Sequence, residues 1–179
     1  MAETQRFIDM IHYICGSCGD PAALGATKLN KIAWFVDTLS FRMNGVSLSG
    51  ETYLKRQFGP VPRNIQSALE SLEAQGKIVV IEPKVQYQPR QFIARQAPDP
   101  DVFSNQERDL LDLIIHEVCE NHTATSISGV SHNQIWDAAL MGEVIPMEAV
   151  LAAYPGEITQ EDLLWADAVV ERVVSKTAA

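Results

Sequence analysis

TKLNKIAWFVDTLSFRMNG, residues 27–45, describes one amphipathic helix with both of its ends marked. Its apolar residues recur at steps of three and four, which is the spacing of one helical face: Leu29, Ile32, Ala33, Val36, Leu39 and Met43. Thr27 is predicted to cap the start of this helix, and Asn44-Gly45 supplies a left-handed stop. This helix is therefore expected to pack one face against the core.

A shorter helix is predicted upstream. Its apolar residues also recur at helical spacing, and the pattern stops at Gly16: Phe7, Ile8, Ile11, Ile14 and Cys15. Between the two helices, residues 17–26 contain Gly19, Pro21 and Gly25, which favour a loop. The sequence thus predicts two helices joined by a loop at the start of the chain.

Downstream of residue 45, the sequence predicts extended chain and then a third helix. Residues 52–56 are short and β-prone, and Phe58-Gly59-Pro60-Val61-Pro62 excludes helix until Pro62, which suits a first helical turn. The third helix is expected over 62–75, ended by Gly76. Residues 77–81 and 85–95 then predict an antiparallel hairpin, with Pro89 confining its second strand to an edge or a bulge. A helix followed by a hairpin has the outline of a winged-helix module.

The second half of the chain is predicted to be helical. Residues 97–101 contain two prolines and are expected to link the halves. Ser104-Asn105-Gln106-Glu107 is a capping box that opens a helix fading at 121–122. A short helix around 126–132, a loop bearing Trp136, a helical first turn at Pro146 and a last helix capped by Thr159 follow. We therefore expect a single domain over residues 1–179, mainly helical in the α+β class, with one small β-hairpin and a winged-helix-like middle segment.

Charge is divided unevenly along the chain, and this division bears on the choice of partner. The net charge is -9, yet residues 1–97 carry 11 basic and 8 acidic residues, whereas residues 98–179 carry 3 and 15. A strongly acidic half favours a basic protein partner and disfavours nucleic acid. The mean hydropathy is -0.03 and no apolar run has membrane-spanning length, so we expect a cytoplasmic protein without membrane association.

Motifs of catalysis are absent from the sequence. It contains no glycine-rich phosphate loop, nucleophile elbow, zinc-protease helix or dinucleotide fingerprint, so we expect neither an enzyme nor a cofactor. The alternative is a tetrahedral zinc site, for which the candidate ligands are Cys15, Cys18, Cys119 and His122. Because Cys15 and Cys119 lie on apolar helical stripes, a role as small core residues is favoured over zinc binding.

A second alternative is a DNA-binding regulator of winged-helix type. Basic residues of the predicted helix and hairpin would form its phosphate-binding face: Lys55, Arg56, Arg63, Lys77, Lys84, Arg90 and Arg95. The predicted third helix carries Glu70 and Glu73, however, and the acidic second half would repel phosphate. A protein is therefore the favoured partner, and nucleic acid is not.

Two motifs, in order, resemble a known family. The helix Lys28-Leu29-Asn30-Lys31-Ile32-Ala33-Trp34-Phe35-Val36-Asp37, followed by Gly45 and by Phe58-Gly59-Pro60-Val61-Pro62, resembles the signature of the SocA-like antitoxin family, also called the Panacea domain. A fainter match continues from His132 to Trp136 and over 142–153. The resemblance implies a mainly helical α+β domain that neutralises a bacterial or phage toxin by direct protein contact. It also implies, for one branch of the family, an adaptor that presents its toxin to the ClpXP protease.

The motif residues have a structural and a functional interpretation, and we favour the structural one. By periodicity, polarity or turn preference they are expected to build the fold: Lys28, Leu29, Lys31, Asp37, Gly59, Pro60, Val61 and Trp136. Contact with a toxin is then expected on less regular surface. For that surface we predict two exposed aromatic residues beside three basic ones: Tyr53, Phe58, Lys55, Arg56 and Arg63.

Overall fold

The computed structural model describes residues 2–85 and 88–152. Within these residues the chain forms seven α-helices: α1 (Ala2–Ser17), α2 (Pro21–Asn44), α3 (Ile65–Ala74), α4 (Asn105–Asn121), α5 (Ala124–Ser131), α6 (Gln134–Ala138) and α7 (Ala149–Ala152). It also forms five short strands: β1 (Tyr53–Arg56), β2 (Gly59–Pro62), β3 (Ile78–Ile81), β4 (Gln91–Ala94) and β5 (Val144–Ile145). The predicted class, mainly helical α+β with small antiparallel sheets, is confirmed.

Helix α2 is the central element, and it packs against α1, α4, α5, β2 and β4. Its predicted stripe is buried from Leu29 to Val36, whereas Met43 at the end of the stripe is exposed. Gly45 ends the helix as predicted, with a φ of 75° and an amide that donates to the Phe41 carbonyl at 2.8 Å. The central helix therefore holds the two halves of the chain around one core.

The start of α2 differs from the prediction. The helix begins at Pro21 rather than after Thr27, because the Asp20 carboxylate accepts a hydrogen bond from the Ala22 amide at 2.9 Å. Gly25 interrupts the helix with a φ of 59°. The predicted loop over 17–26 is therefore mostly a capped helical turn and a kink, and Thr27 caps nothing.

Strands β2, β1 and β5 form an antiparallel sheet in that order. The register pairs Tyr53 with Pro62 and Arg56 with Gly59, so residues 57 and 58 are the turn of a tight hairpin. β2 is an edge strand, which accommodates its two prolines. The expectation that Pro62 opens a helix is wrong, because β2 runs through Pro62 and α3 begins at Ile65.

The predicted hairpin is confirmed as β3 and β4, which pair from Ile78 with Ala94 to Ile81 with Gln91. Its second strand is shorter than predicted and begins after Pro89, whose ring nitrogen cannot donate to a ladder. The hairpin packs against α1 and α2 through β4, and α3 packs against α1 and β3.

In the acidic half, the capping box is confirmed by mutual hydrogen bonds between Ser104 and Glu107. Glu107 also forms an ion pair with Arg6 of α1. The predicted linker is seated on α1, because a Cβ at Gly16 would lie 2.7 Å from Cδ of Pro98. Residues on both sides of the linker thus share one core.

Two predictions beyond α5 are wrong, and one lies outside the described residues. Trp136 lies in helix α6, which Asn133 caps, rather than in a loop. The helix predicted to open at Pro146 begins at Ala149 instead. The last predicted helix, capped by Thr159, lies outside the described residues. In residues 2–85 and 88–152 we find no helix with the length and apolar character needed to cross a membrane.

Candidate protein-binding site

Two lysines of the α2 motif are buried and bind backbone carbonyls. Lys31 is 1% exposed, and its ammonium donates to the Pro60 carbonyl at 2.9 Å. Burial lowers the pKa of Lys31 to about 7. Lys28 donates to the Cys119 carbonyl at 3.1 Å. Together the two side chains tie α2 to the β1–β2 hairpin and to the end of α4, which supports the structural interpretation.

Gly59 allows the hairpin turn to sit directly on these elements. Its φ is 103°, a conformation that residues with a Cβ rarely adopt. A Cβ there would overlap with Oγ of Ser131 and would lie 2.6 Å from Nζ of Lys31. The neighbouring Phe58 carbonyl accepts a hydrogen bond from Ser128 Oγ at 2.8 Å. The turn is therefore fixed between α2 and α5.

Asp37 is the buried centre of a hydrogen-bond network that includes Tyr53 of β1. Its carboxylate accepts from the Ser49 amide at 2.8 Å, from Ser49 Oγ at 2.5 Å and from the Tyr53 hydroxyl at 2.7 Å. Burial raises the pKa of Asp37. Trp34 packs edge-on against Tyr53 with ring centroids 4.9 Å apart. Tyr53 is 1% exposed, so its predicted role as an exposed contact residue is wrong.

Lys55 is likewise engaged within the fold. It is buried, donates to the Ala139 carbonyl at 2.9 Å, and holds its ammonium 4.0 Å from the centre of the Trp136 ring. Trp136 stacks on His132 with ring centroids 3.9 Å apart, and its Nε1 donates to the Arg56 carbonyl at 3.2 Å. The prediction that Lys55 is a surface contact is wrong, because the side chain is buried and its ammonium binds groups within the fold.

Sequence reasoning missed two exposed residues next to the hairpin turn. Leu140 and Met141 are exposed, and they belong to a turn in which the Gly142 amide donates to the Lys55 carbonyl at 2.9 Å. Arg56 lies beside this turn, since a Cβ at Gly142 would be 3.9 Å from its Nη1, and Phe58, which is 61% exposed, follows in the hairpin turn at the same end of β1. We call these four residues the hairpin-tip surface: Arg56, Phe58, Leu140 and Met141. Two turns distant in sequence form it, so a reading along the chain could not find it.

Arg63 and Val61 lie away from this surface. Arg63 is exposed, but its amide donates to the Thr52 carbonyl at the open end of the β1–β2 hairpin. That end is separated from the Phe58 turn by the length of the strands, roughly 10 Å. Val61 is half-buried within β2. Of the five predicted contact residues, the structure therefore brings only Arg56 and Phe58 together on exposed surface.

The family comparison covers the elements that carry this arrangement. The model described as Antitoxin SocA-like, Panacea domain, matches residues 29–137, from α2 through α6. The chain belongs to the SocA-like antitoxin family. The match to the SocA-like family includes Lys31, Asp37, Gly59 and Trp136 and ends before Leu140. No curated protein and no solved structure matches the chain at a significant level.

The alternative zinc site gains no support in this SocA-like chain. Sγ of Cys18 lies 3.2 Å from Sγ of Cys119, but His122 is engaged by Glu117 at 3.4 Å and by Ser126 at 3.1 Å. Burial raises the pKa of Cys15 to about 12, which disfavours the thiolate that zinc requires. Among residues 2–85 and 88–152, no group of three or more His, Cys, Asp or Glu side chains could hold a metal ion.

The basic face predicted for a DNA-binding alternative is also partly engaged. Lys55 is buried, as described above, and Arg90 donates to Glu82 at 2.7 Å. On α4, in contrast, four exposed side chains are acidic: Asp109, Asp112, Glu117 and Glu120. The sequence contains no Lys or Arg between residues 109 and 171. This face favours a basic protein over a phosphate backbone.

Proposed function

We propose that this protein is an antitoxin that binds its cognate toxin directly through the hairpin-tip surface. The observation that carries the proposal is that Phe58 is exposed on a turn whose backbone is held in place by buried contacts. Gly59 packs on Lys31, and Ser128 holds the Phe58 carbonyl. Lys31, Gly59 and Ser128 lie within the family match, and three of the four hairpin-tip residues are apolar.

The composition of this surface suits protein recognition. Aromatic residues, methionine and arginine are enriched in the centres of protein interfaces, and a few of them dominate binding energy. Phe58, Met141 and Arg56 supply these types among the exposed residues of the hairpin-tip surface. Because its backbone is fixed before binding, the turn loses little conformational entropy on contact. We expect an interface of standard size, roughly 1,600 Å² in total.

We propose that the acidic face of α4 accelerates association with a basic toxin. Asp109 and Glu120 are exposed on this helix, and from residue 109 to residue 171 the sequence contains no lysine or arginine. Charges of one sign on one face raise the association rate at low salt and affect dissociation much less. The acidic face thus steers the partner, and the hairpin-tip surface holds it.

Neutralisation then follows by occlusion or by delivery of the bound toxin to a protease. The family resemblance implies an adaptor role for one branch, so delivery to ClpXP is one of these two routes. A purified toxin that ClpXP degrades only when this chain is present would establish delivery. A toxin that stays intact but inactive in the complex would establish occlusion. Binding alone performs either task, so the proposal includes no catalytic step and no cofactor.

Affinity purification from the source cells tests the binding proposal. Tagged wild-type chain, the double variant Phe58→Ala/Met141→Ala and the control Val85→Ala are compared at moderate salt. Val85 is 68% exposed, a fraction similar to that of Phe58, but it lies between β3 and β4. We expect the wild type and the control to retain one stoichiometric protein that is toxic when expressed alone. The double variant should lose it, and equal retention by all three would refute the hairpin-tip surface.

A further inference from the structure

Two cysteines that are distant in sequence are in contact in the fold. Cys18 follows the end of α1, and Cys119 lies in the last turn of α4, 101 residues later. Their sulfur atoms are 3.2 Å apart, so either thiol can donate to the other. A sulfur separation of this size leaves only a small movement to reach the bonded distance of about 2.05 Å.

The surroundings of this pair favour a reactive thiol at Cys18. The hydrogen bond with Cys119 outweighs the opposing effect of burial and lowers the pKa of Cys18 to about 7, and the nearby Lys28 ammonium acts in the same direction. Lys28 also donates to the Cys119 carbonyl at 3.1 Å, which holds a positive charge beside the pair. Both cysteines keep a small exposed fraction, 6% and 9%. The lowered pKa favours Cys18 as the thiol of this pair that attacks a small oxidant.

Cys15 provides an internal contrast. It is 3% exposed on the buried face of α1, and burial raises its pKa to about 12. It is thus a small core residue, as the sequence predicts, and it is the matched control for the other two cysteines.

We propose that Cys18 and Cys119 form a peroxide-sensitive dithiol pair that closes to a reversible disulfide. The Cys18 thiolate attacks one oxygen of hydrogen peroxide, the O–O bond breaks, and the leaving hydroxide takes a proton to become water. The resulting sulfenic acid is then attacked by the Cys119 sulfur, which releases a second water and forms the S–S bond. The two sulfurs lose two electrons and two protons, and one peroxide is reduced. A dithiol reductant reverses the reaction. This property is independent of toxin binding.

Peptide mapping of the full-length protein tests the proposal. The reduced chain is treated with hydrogen peroxide, free thiols are blocked with N-ethylmaleimide, and the protein is digested with trypsin without reduction. The tryptic peptide 7–28 contains Cys15 and Cys18, and the peptide 109–172 contains Cys119. We expect these two peptides to be linked, with Cys15 blocked, and to separate on reduction. Because the bond closes a loop of about 100 residues, the oxidised chain should melt about 5–15 °C higher.

Three variants supply the controls. Cys15→Ala should retain the linkage and the shift in melting temperature, whereas Cys18→Ala and Cys119→Ala should lose both. If a variant fails to fold, the peptide map of the wild-type chain still tests the proposal. The proposal would be overturned if Cys18 is still free after peroxide treatment and is labelled with N-ethylmaleimide. A bond between Cys15 and Cys18 within peptide 7–28 would also overturn it. Linkage that forms only in denaturant would overturn it as well.

Discussion

Replacing Gly59 with alanine should destabilise the fold far more than the same change at an open glycine. Two costs add at this position. The φ of 103° disfavours any residue with a Cβ, by about 1–2 kcal/mol. The new methyl group also overlaps with Ser131 Oγ and lies within 2.8 Å of two atoms of Lys31, and overpacking of this kind costs about 1–3 kcal/mol. The expected loss in free energy of unfolding is therefore about 2–5 kcal/mol.

Gly45 provides the matched control for this substitution. Its φ is 75°, but a Cβ there would meet no atom within 4 Å. Gly45→Ala should therefore cost only the backbone term, about 1–2 kcal/mol. Equilibrium unfolding in urea, followed by tryptophan fluorescence, measures both variants, and the buried Trp34 reports on the core beside the sheet.

A second substitution separates the steric cost from the backbone cost. Ser131→Ala alone removes the hydrogen bond from Oγ to the Ser128 carbonyl and should cost about 1 kcal/mol. In the Gly59→Ala background it also removes the overlapping atom, so the double variant should be more stable than the sum of the single changes by about 1 kcal/mol. If Gly59→Ala costs no more than Gly45→Ala, the close packing of the turn on Lys31 and Ser131 is refuted.

The remaining predictions concern a buried lysine, a buried tyrosine and the acidic helix. Lys31 holds its proton in the unfolded chain up to about pH 10.5 but releases it near pH 7 when folded, so the unfolded state binds more protons in this window. The free energy of unfolding should therefore rise with pH between about pH 7 and pH 10.5. In urea titrations, Lys31→Met should reduce that rise by on the order of 1–3 kcal/mol. A variant whose stability changes with pH in parallel with the wild type would contradict the burial of Lys31. Tyr53→Phe removes the 2.7 Å hydrogen bond to Asp37 and should lower the free energy of unfolding by about 1–2 kcal/mol while leaving toxin affinity unchanged. If the folded variant binds the toxin more weakly, Tyr53 is part of the interface. Asp109→Asn with Glu120→Gln should slow association with the toxin several-fold at low salt and reduce its salt dependence in stopped-flow experiments, and unchanged kinetics would remove the steering role of α4.

Local patterns predicted the long helices well, because their signals lie within a few residues of one another. The apolar stripe of α2, the left-handed stop at Gly45 and the capping box at Ser104 each depend on neighbours in sequence. The start of α2 was less predictable, since Thr27 and Asp20 are both good caps and only the path of the chain selects Asp20.

The candidate site was only partly predictable, because burial depends on long-range contacts. Tyr53 and Lys55 alternate along β1 with Leu54 and Arg56, and the sequence does not say which side faces the core. Pairing of β1 with β5 and stacking of Lys55 on Trp136 decide this, and both come from residues about 80–90 positions later. The same long-range pairing brings the turn that contains Leu140 and Met141 to the Arg56 end of β1. Sequence periodicity does not predict such long-range contacts.

Growth of cells that express the captured partner tests the central claim most directly. The partner is induced alone, with the wild-type chain, with Phe58→Ala/Met141→Ala, and with the control Val85→Ala, at equal levels of each protein. The account predicts arrest by the partner alone, rescue by the wild type and by the control, and at least tenfold weaker rescue by the double variant. Arrest that persists with the wild type, or rescue by the double variant as complete as by the wild type, would contradict it.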